Sequence, residues 1–212
     1  MRNIALALAA LSLTVTAAAA ADCTAEVNDA FAKLRKSSAF RMETKIVNAE
    51  GTLEMSNDYV LPDRMHQTVS MGAQGPQKME MILIGGKAWS NQANNGWAEV
   101  PEKYAETIAK QMKETVVEPP KDKQEYECLG DVAFEGKTYA AYRAKIDAEG
   151  EVKTAGQPDA TAKATNVQTV YIDKTLGVPV RNIVTSQADP HKRLFDGTFT
   201  LREGLKIEPP KL

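Results

Sequence analysis

The sequence predicts an α+β fold in which two helices accompany an antiparallel β-sheet. Apolar residues recur at helical spacing in two short segments, whereas most of the remaining chain alternates apolar and polar residues with a period of two. Short turns rich in Gly, Pro and Asn separate the alternating runs, so consecutive strands are expected to pair antiparallel. Because no repeat and no linker-like composition interrupts the chain, we expect a single domain.

The first 21 residues have the features of a secretory signal peptide. Arg2 supplies a basic start, residues 4–15 form an apolar stretch too short to cross a bilayer, and the alanine run ends at Ala21. Small residues at the end of that run predict cleavage after Ala21. Residues 22–212 would then form one domain in the periplasm.

Charge and cysteine content narrow the classes of function. The chain has 26 Lys+Arg against 28 Asp+Glu, and this weakly acidic balance gives no electrostatic reason to expect nucleic acid as a partner. The two cysteines, Cys23 and Cys128, predict one disulfide in an exported protein, with two free thiols as the alternative. Asp22 stands where a lipidated Cys23 would need a small residue. Two cysteines and two distant histidines do not predict a metal site.

The two helical segments differ in how they begin. The first covers residues 24–36, with Thr24 as the expected N-cap. The second starts at Pro101, a position where the missing N–H of proline costs nothing. Their apolar faces consist of Val27, Phe31 and Leu34 in the first helix and Tyr104, Ile108 and Met112 in the second.

The alternating runs predict the strands and leave one long connection. The expected strands are 40–46, 53–59, 65–71, 79–84, 87–90, 97–100, 126–134, 138–146, 167–173, 178–187 and 193–201. Residues 148–165 are Gly, Ala, Thr and charged residues, and we expect them to form a mobile loop or an exposed hairpin end.

Both tryptophans lie in one predicted hairpin. Gly85 and Gly86 form a two-residue turn, and Trp89 and Trp97 follow on short strands. Two interpretations remain open here. The rings pack on the apolar face of the sheet as a structural hairpin, or they contact a ligand.

The sequence holds no recognisable catalytic motif. It has no G-x-S-x-G, no Gly-rich phosphate loop and no H-x-x-x-H metal pair. His66 is predicted to face solvent from a strand, and His191 follows Asp189-Pro190 in a turn. We therefore expect no enzyme and no cofactor. A hydrolase would need Ser, His and an acidic residue to converge in one cleft.

Methionine is concentrated in the first four predicted strands. The residues are Met42, Met55, Met65, Met71, Met79 and Met81. One interpretation is an ordinary hydrophobic core that uses methionine. A second is an adaptable lining for an apolar ligand, because methionine adjusts to variable apolar shapes. A copper(I) site of Met65, His66, Met79 and Met81 is a third.

Several short motifs occur in a distinctive order. They are YVLPDRM (59–65), IGGKAW (84–89), GW leading into a helix (96–97), YID (171–173) and GVPV (177–180). In this order they resemble the periplasmic lipoprotein-carrier superfamily, the LolA/LolB-like proteins and related lipid carriers. The likeness covers most of the chain after residue 21, although residues 148–165 have no counterpart in it.

The resemblance implies a fold and a ligand. The fold is a strongly curved, unclosed antiparallel β-sheet, a half-barrel, with helices covering its concave face. The ligand is lipid, or the acyl chains of a lipoprotein, held in an apolar cavity between sheet and helices. The lining would comprise Met42, Met55, Met65, Val69, Met79, Met81, Trp89, Trp97, Tyr104, Ile108 and Met112.

The role of Arg64 and the function of the whole chain each have two possible interpretations. Arg64 either holds a turn by pairing with Asp63 or a carbonyl, or meets a headgroup at the cavity mouth. The chain as a whole could instead be an envelope structural or interaction module without a lipid ligand. It would then bind an envelope protein partner through a sheet edge or the long loop.

Overall fold

The computed structural model describes residues 17–48, 51–71, 77–93, 95–120, 124–147 and 165–212. The apolar part of the predicted signal peptide and residues 148–164 of the predicted loop lie outside these ranges, whereas Thr165 already belongs to a strand. Among the described helices, none is long and apolar enough to cross a membrane.

The described elements follow the order that the sequence predicts. The helices are α1, Ala17–Lys36, and α2, Glu102–Met112, and a π-helical turn, Lys113–Val117, extends α2. The strands are β1 Ala39–Asn48, β2 Gly51–Val60, β3 Arg64–Met71, β4 Gln77–Ile84, β5 Lys87–Gln92, β6 Trp97–Glu99, β7 Glu127–Phe134, β8 Lys137–Asp147, β9 Thr165–Asp173, β10 Val178–Ser186 and β11 Arg193–Leu201.

All eleven strands form one antiparallel sheet with the order β6-β5-β4-β3-β2-β1-β11-β10-β9-β8-β7. Strands β1–β6 form one meander and strands β7–β11 form a second, as the short turns between them predict. The halves join where β1 pairs with β11, from Phe40 opposite Leu201 to Ile46 opposite Phe195. Because β6 and β7 remain as edges, the sheet is unclosed. This confirms the predicted α+β fold with a curved, open antiparallel sheet.

Helix α1 begins further upstream than its sequence suggests. It starts at Ala17, so the prediction that Thr24 is its N-cap is wrong. The Thr24 hydroxyl instead accepts a hydrogen bond from the backbone N–H of Tyr126, at 2.9 Å. One residue away, Cys23 and Cys128 form the predicted disulfide, with their Cα atoms 5.4 Å apart. Both contacts attach α1 to the start of β7.

Helix α2 starts directly after a proline, as predicted. The carbonyl of Pro101 accepts hydrogen bonds from the N–H groups of Tyr104 and Ala105, at 2.9 and 3.1 Å. Proline has no N–H of its own to leave unsatisfied, which suits it to a helix start. The helix buries Ala105 and Met112 against the sheet.

Both helices pack on the same face of the sheet. Helix α1 lies on β7, β9 and β10, and α2 lies on β4 and β5. Two core clusters result, one under each helix, and Phe31 of α1 belongs to the margin of both. We call this face the helix-facing side and the opposite one the outer face.

The outer face is linked across strands by ion pairs. The guanidinium of Arg41 donates to both carboxylate oxygens of Asp58, at 2.8 and 2.6 Å. These hydrogen bonds lower the pKa of Asp58, although burial acts in the opposite direction. Burial likewise acts to raise the pKa of Asp196, but hydrogen bonds from Arg181 and Arg193 lower it overall. Each pair thus joins neighbouring strands by a charge-assisted contact.

Removing the disulfide should weaken the fold. Because it closes a loop of 105 residues, the double variant C23S/C128S should lose about 4 kcal/mol of unfolding free energy relative to the oxidised protein. Urea unfolding followed by far-UV circular dichroism measures this loss. An unchanged midpoint would show that α1 is held by packing alone.

Loss of the Asp58 carboxylate should have a pH-dependent effect. Since the pKa of Asp58 is lowered in the folded state, its stabilisation is present above its unfolded pKa of about 3.9 and is lost as the pH falls through the folded value. We expect Asp58→Asn to cost about 2 kcal/mol at neutral pH and much less at about pH 2. Glu54→Gln, in a pair exposed on both sides, should change stability by less than about 0.5 kcal/mol. Equal losses for Asp58→Asn at both pH values would contradict this account.

Candidate functional site

Strand alternation decides which side chains meet the helices. On β1 the helix-facing residues are Phe40, Met42, Thr44 and Ile46, because Phe40 belongs to the cluster under α2. Residues that pair across neighbouring strands point to the same side of the sheet, so the register identifies the helix-facing residues of the other strands. Met55 of β2, for example, lies opposite Thr44. Every methionine of the predicted lining falls on this side.

Nearest the helices, this face is an ordinary core. Phe40, Tyr59, Met65 and Leu83 are buried together with Met112 of α2. Met42, Met81 and Ile108 pack against the same cluster while remaining partly exposed. The ring of Phe31 meets Phe199 edge-on, at a centroid distance of 5.9 Å, and so connects α1 to the middle of the sheet.

Further along the strands, the apolar residues belong to no core cluster of the described chain. We call this set the open strip, and each member is partly exposed. Cross-strand pairs make the set contiguous, from Phe195 opposite Ile46 to Met79 opposite Val69. The open strip consists of Ile46, Leu53, Met55, Val69, Met79 and Phe195.

A band of uncharged polar groups lies between the core and the open strip. On one side the Gln67 side-chain N–H donates to Asn57 Oδ1 at 2.8 Å. On the other, Gln168 donates to Asn182 Oδ1 and accepts from the Tyr126 hydroxyl, each at 3.0 Å. These amides satisfy one another, as polar groups in an apolar setting must.

Thr44 stands between the two amide groups and has no such partner. It is 4% exposed, and its hydroxyl makes no hydrogen bond to the described residues. An unsatisfied buried hydroxyl costs about 1–3 kcal/mol. Of the described buried side-chain atoms, His66 Nε2 is the other one in this condition, and it lies on the outer face.

Most of the described strands place no charged side chains on this side of the sheet. Among the described residues that the register places on the helix-facing side of β1–β5 and β8–β11, none is charged. Their neighbours on the outer face include Arg41, Glu43, Lys45, Glu54 and Asp58. These strands therefore offer a surface suited to apolar or neutral polar molecules, because a buried ion would find no counter-charge on them. The Glu26 carboxylate that accepts a hydrogen bond from the Tyr142 hydroxyl on this side belongs to α1.

Eight residues of the predicted lining fall into three groups. Met55, Val69 and Met79 lie in the open strip, and Met42, Met81 and Ile108 border the core. Met65 and Met112 are buried in the core itself. Tyr104 is 64% exposed, and the next residue of α2, Ala105, takes the buried position.

The structure corrects the placement of the tryptophans. Trp89 pairs with Ile82 and packs with Ile207 of the C-terminal segment, on the outer face, with Trp97 against the same cluster. Successive residues alternate faces, so Ala88 rather than Trp89 points to α2. Both rings therefore pack on the opposite side of the sheet from the helix-facing methionines.

Arg64 also lies on the outer face. Its guanidinium donates to the Ile207 carbonyl at 2.8 Å, a separation of 143 residues along the chain. The expectation of a carbonyl partner is met, but the bond holds the C-terminal segment rather than a turn. This position puts Arg64 on the opposite side of the sheet from the helices.

The histidines are on separate elements. His66, on β3, is partly buried with its ring 6.4 Å from that of Trp97, so the expectation of a solvent-facing histidine is wrong. His191 is exposed in the turn before β11. The described residues contain no group of three or more His, Cys, Asp or Glu that could hold a metal ion.

A polar depression of about 350 Å³ lies on the outer face. Hydroxyls and ion-paired groups of β1, β2, β3, β10 and β11 line it, among them Ser56, Thr68, Thr198, Arg181 and Asp196. Thr44 and Met55 also line it, although the register points their side chains to the helix-facing side, so the depression reaches them from the outer face. Its hydroxyls and charged groups do not suit an acyl chain.

Sequence reasoning missed the polar band. The period-two pattern of β1 predicts that Thr44 shares the apolar face with Met42 and Ile46. It does not single out the four amides, which are Asn57, Gln67, Gln168 and Asn182. The available signal was a polar residue at an apolar position of the period-two pattern, as at Asn57 between Met55 and Tyr59. Their pairing across strands could not be seen before the register was known.

An unclosed, curved antiparallel sheet with two helices on one side is the fold that the resemblance to the LolA/LolB-like superfamily implies. The predicted resemblance is thus confirmed at the level of the fold. No protein-family model matches the sequence, and no match was found among curated proteins.

Solved structures share the architecture. The chain is similar to LprF from Mycobacterium bovis, with 11% identity over 90% of this chain and 97% of that one and a TM-score of 0.53. It is similar to the Mycobacterium tuberculosis lipoprotein LppX, with 11% identity over 89% and 99% of the two chains and a TM-score of 0.54. A LolA superfamily protein, NE2245 from Nitrosomonas europaea, follows at 7% identity, 87% and 94% coverage and a TM-score of 0.29, too low to carry an argument. At such identities the likeness shows the fold alone.

Replacing the Thr44 hydroxyl should stabilise the ligand-free protein. Thr44→Val keeps the β-branched shape but removes the unsatisfied group, and we expect a gain of about 1 kcal/mol in unfolding free energy. Thr44→Ser, which keeps the hydroxyl and loses a methyl, should be destabilised by about 1 kcal/mol instead. Urea unfolding compares the two, and a loss of stability in Thr44→Val would show that the hydroxyl is satisfied.

Proposed function

We propose that this protein binds lipid, or the acyl chains of a lipidated protein, on the helix-facing side of its sheet and carries it without catalysis. The observation that carries the proposal is the open strip: contiguous, partly exposed apolar side chains on a face without charge. The fold shared with LprF and LppX supports it only as an architecture, and the sequence resemblance supplies the class of ligand.

The energetics of the open strip suit an exchangeable ligand. Its side chains already lie partly in contact with solvent, so an acyl chain removes apolar surface from water on both partners. Each ligand CH₂ that is buried contributes about 0.8 kcal/mol. Methionine at Met55 and Met79 can change rotamer to follow different chains, which a β-branched residue cannot do as easily.

The proposal includes export to the periplasm. The basic, apolar and alanine-rich start of the chain is typical of a signal peptide. The disulfide between Cys23 and Cys128 supports an oxidising compartment.

The alternative, an interaction module without a lipid ligand, has a weaker basis. Strand β7 is an exposed edge that could pair with a partner strand. However, the large exposed hydrophobic residues among those described are scattered over α2, β7, the turn after β9 and the C-terminus. They are Tyr104, Leu129, Leu176 and Leu212.

Neighbouring residues of β2 allow a matched test of the binding face. Met55→Lys places an ammonium group in the open strip, whereas Ser56→Lys places the same group on the outer face. After incubation with phosphatidylethanolamine and phosphatidylglycerol vesicles, native mass spectrometry should detect bound lipid in the wild type and in Ser56→Lys. We expect at least a tenfold loss in Met55→Lys, because the buried ammonium would have no partner.

Circular dichroism should show that both variants are folded. Equal lipid occupancy in the two lysine variants would place binding elsewhere on the molecule. If the wild type purified from periplasm without detergent carries no lipid and takes none from vesicles, the interaction module becomes the better proposal.

A further inference from the structure

The polar band across the helix-facing side is unusual for a surface that only has to accept hydrocarbon. Five uncharged polar side chains and the hydroxyl of Tyr126 interrupt an otherwise apolar face. Four of them, on strands at either side of the β1–β11 junction, are amides that pair with one another. Thr44 is the member whose hydroxyl has no partner among the described residues.

The immediate surroundings of Thr44 are shaped by a glycine. Thr44 stands opposite Met55 on one side and Gly197 on the other. A Cβ atom at Gly197 would lie 2.9 Å from Cε1 of Phe195, so the absence of a side chain lets that ring lie against the strand. The Thr44 hydroxyl is shielded from water in this structure, where a hydrogen bond is strongest. A ligand carbonyl would reach it by displacing the partly exposed side chain of Met55 or Phe195.

The amides beside Thr44 are arranged as donors. In both pairs the asparagine oxygen is the acceptor, from Gln67 in one and Gln168 in the other. Asn57 and Asn182 can therefore offer their side-chain N–H groups as hydrogen-bond donors. Asn57 is a diagonal neighbour of Thr44, about 7 Å away, and Asn182 lies two strands across, about 10 Å away.

A group that meets these donors must be an acceptor without charge. A carboxylate or phosphate at Thr44 would be buried on a face where the described strands β1–β5 and β8–β11 place no cation. The carbonyl of an ester or amide accepts hydrogen bonds without this desolvation cost.

We propose that Thr44, flanked by Asn57 and Asn182, is a hydrogen-bonding subsite for the ester or amide carbonyl of an acyl ligand. This rests on the proposed lipid-binding function. The subsite makes the protein selective for esterified or amide-linked chains over free fatty acids. The acyl chain extends from the carbonyl along the open strip, next to Met55 and Phe195.

The test compares ligands that differ at one group. The probes are 1-palmitoylglycerol, which has an ester carbonyl, 1-O-hexadecylglycerol, which has an ether in its place, and palmitate, which is ionised. Dissociation constants are measured below the critical micelle concentration for the wild type, Thr44→Val and Thr44→Ser. Circular dichroism establishes that each variant is folded.

We expect the wild type to bind the ester about three- to tenfold more tightly than the ether, the range of one neutral hydrogen bond. Thr44→Val should bring this ratio to about one, because it should weaken binding of the ester and leave binding of the ether unchanged. Thr44→Ser should retain the preference, and palmitate should bind more weakly than the ester.

Three outcomes would overturn the subsite. They are equal binding of ester and ether by the wild type, a preference that persists in Thr44→Val, and palmitate binding as tight as that of the ester. In these cases the lipid-binding face itself stands, because all probes still bind. If none of the probes binds the wild type, the proposed function fails together with the subsite.

Discussion

The pairing of β1 with β11 is the constraint on which the rest of the structure depends. It joins the first and last strands of the chain over seven residue pairs and merges two meanders into one eleven-stranded sheet. Each meander carries one helix, so the two helices lie on one face of a common sheet only because the two halves are joined. The same ladder places Thr44 beside Gly197, and Gly197 beside Asn182. Polar groups from distant parts of the chain thereby reach one face.

The two faces of this sheet are separated by chemistry as well as by position. Ion pairs such as Arg41–Asp58 join neighbouring strands on the outer face, where charges can be paired and hydrated. The helix-facing side carries hydrocarbon and amides instead. A slip of one residue in register would exchange the two sets, bringing charges under the helices. The alternation that keeps charged strand residues off the helix-facing side is therefore also what specifies the register.

Local sequence patterns predicted the helices and strands well, but they did not predict which face of a strand packs against a helix. The helix over residues 101–112 and the strands were predictable because periodicity and turn residues act over a few positions. The placement of Trp89 failed for a clear reason. Both faces of β4 and β5 are apolar, Leu83 and Ala88 on one and Ile82 and Trp89 on the other. Alternation alone does not tell which face meets a helix and which is covered by Ile207, far along the chain.

The sequence by itself determined the α+β class, the disulfide partners and the methionine-rich face, because composition and short-range periodicity specify them. Tertiary structure decided that Met55, Val69 and Met79 remain partly exposed while Met65 is buried, although all four follow the same pattern. It also decided that the Thr44 hydroxyl has no hydrogen-bond partner among the residues that the structure describes. Both depend on how far each helix reaches along the sheet and on strand pairs formed over long separations. Those contacts join residues whose spacing in sequence has no regular period.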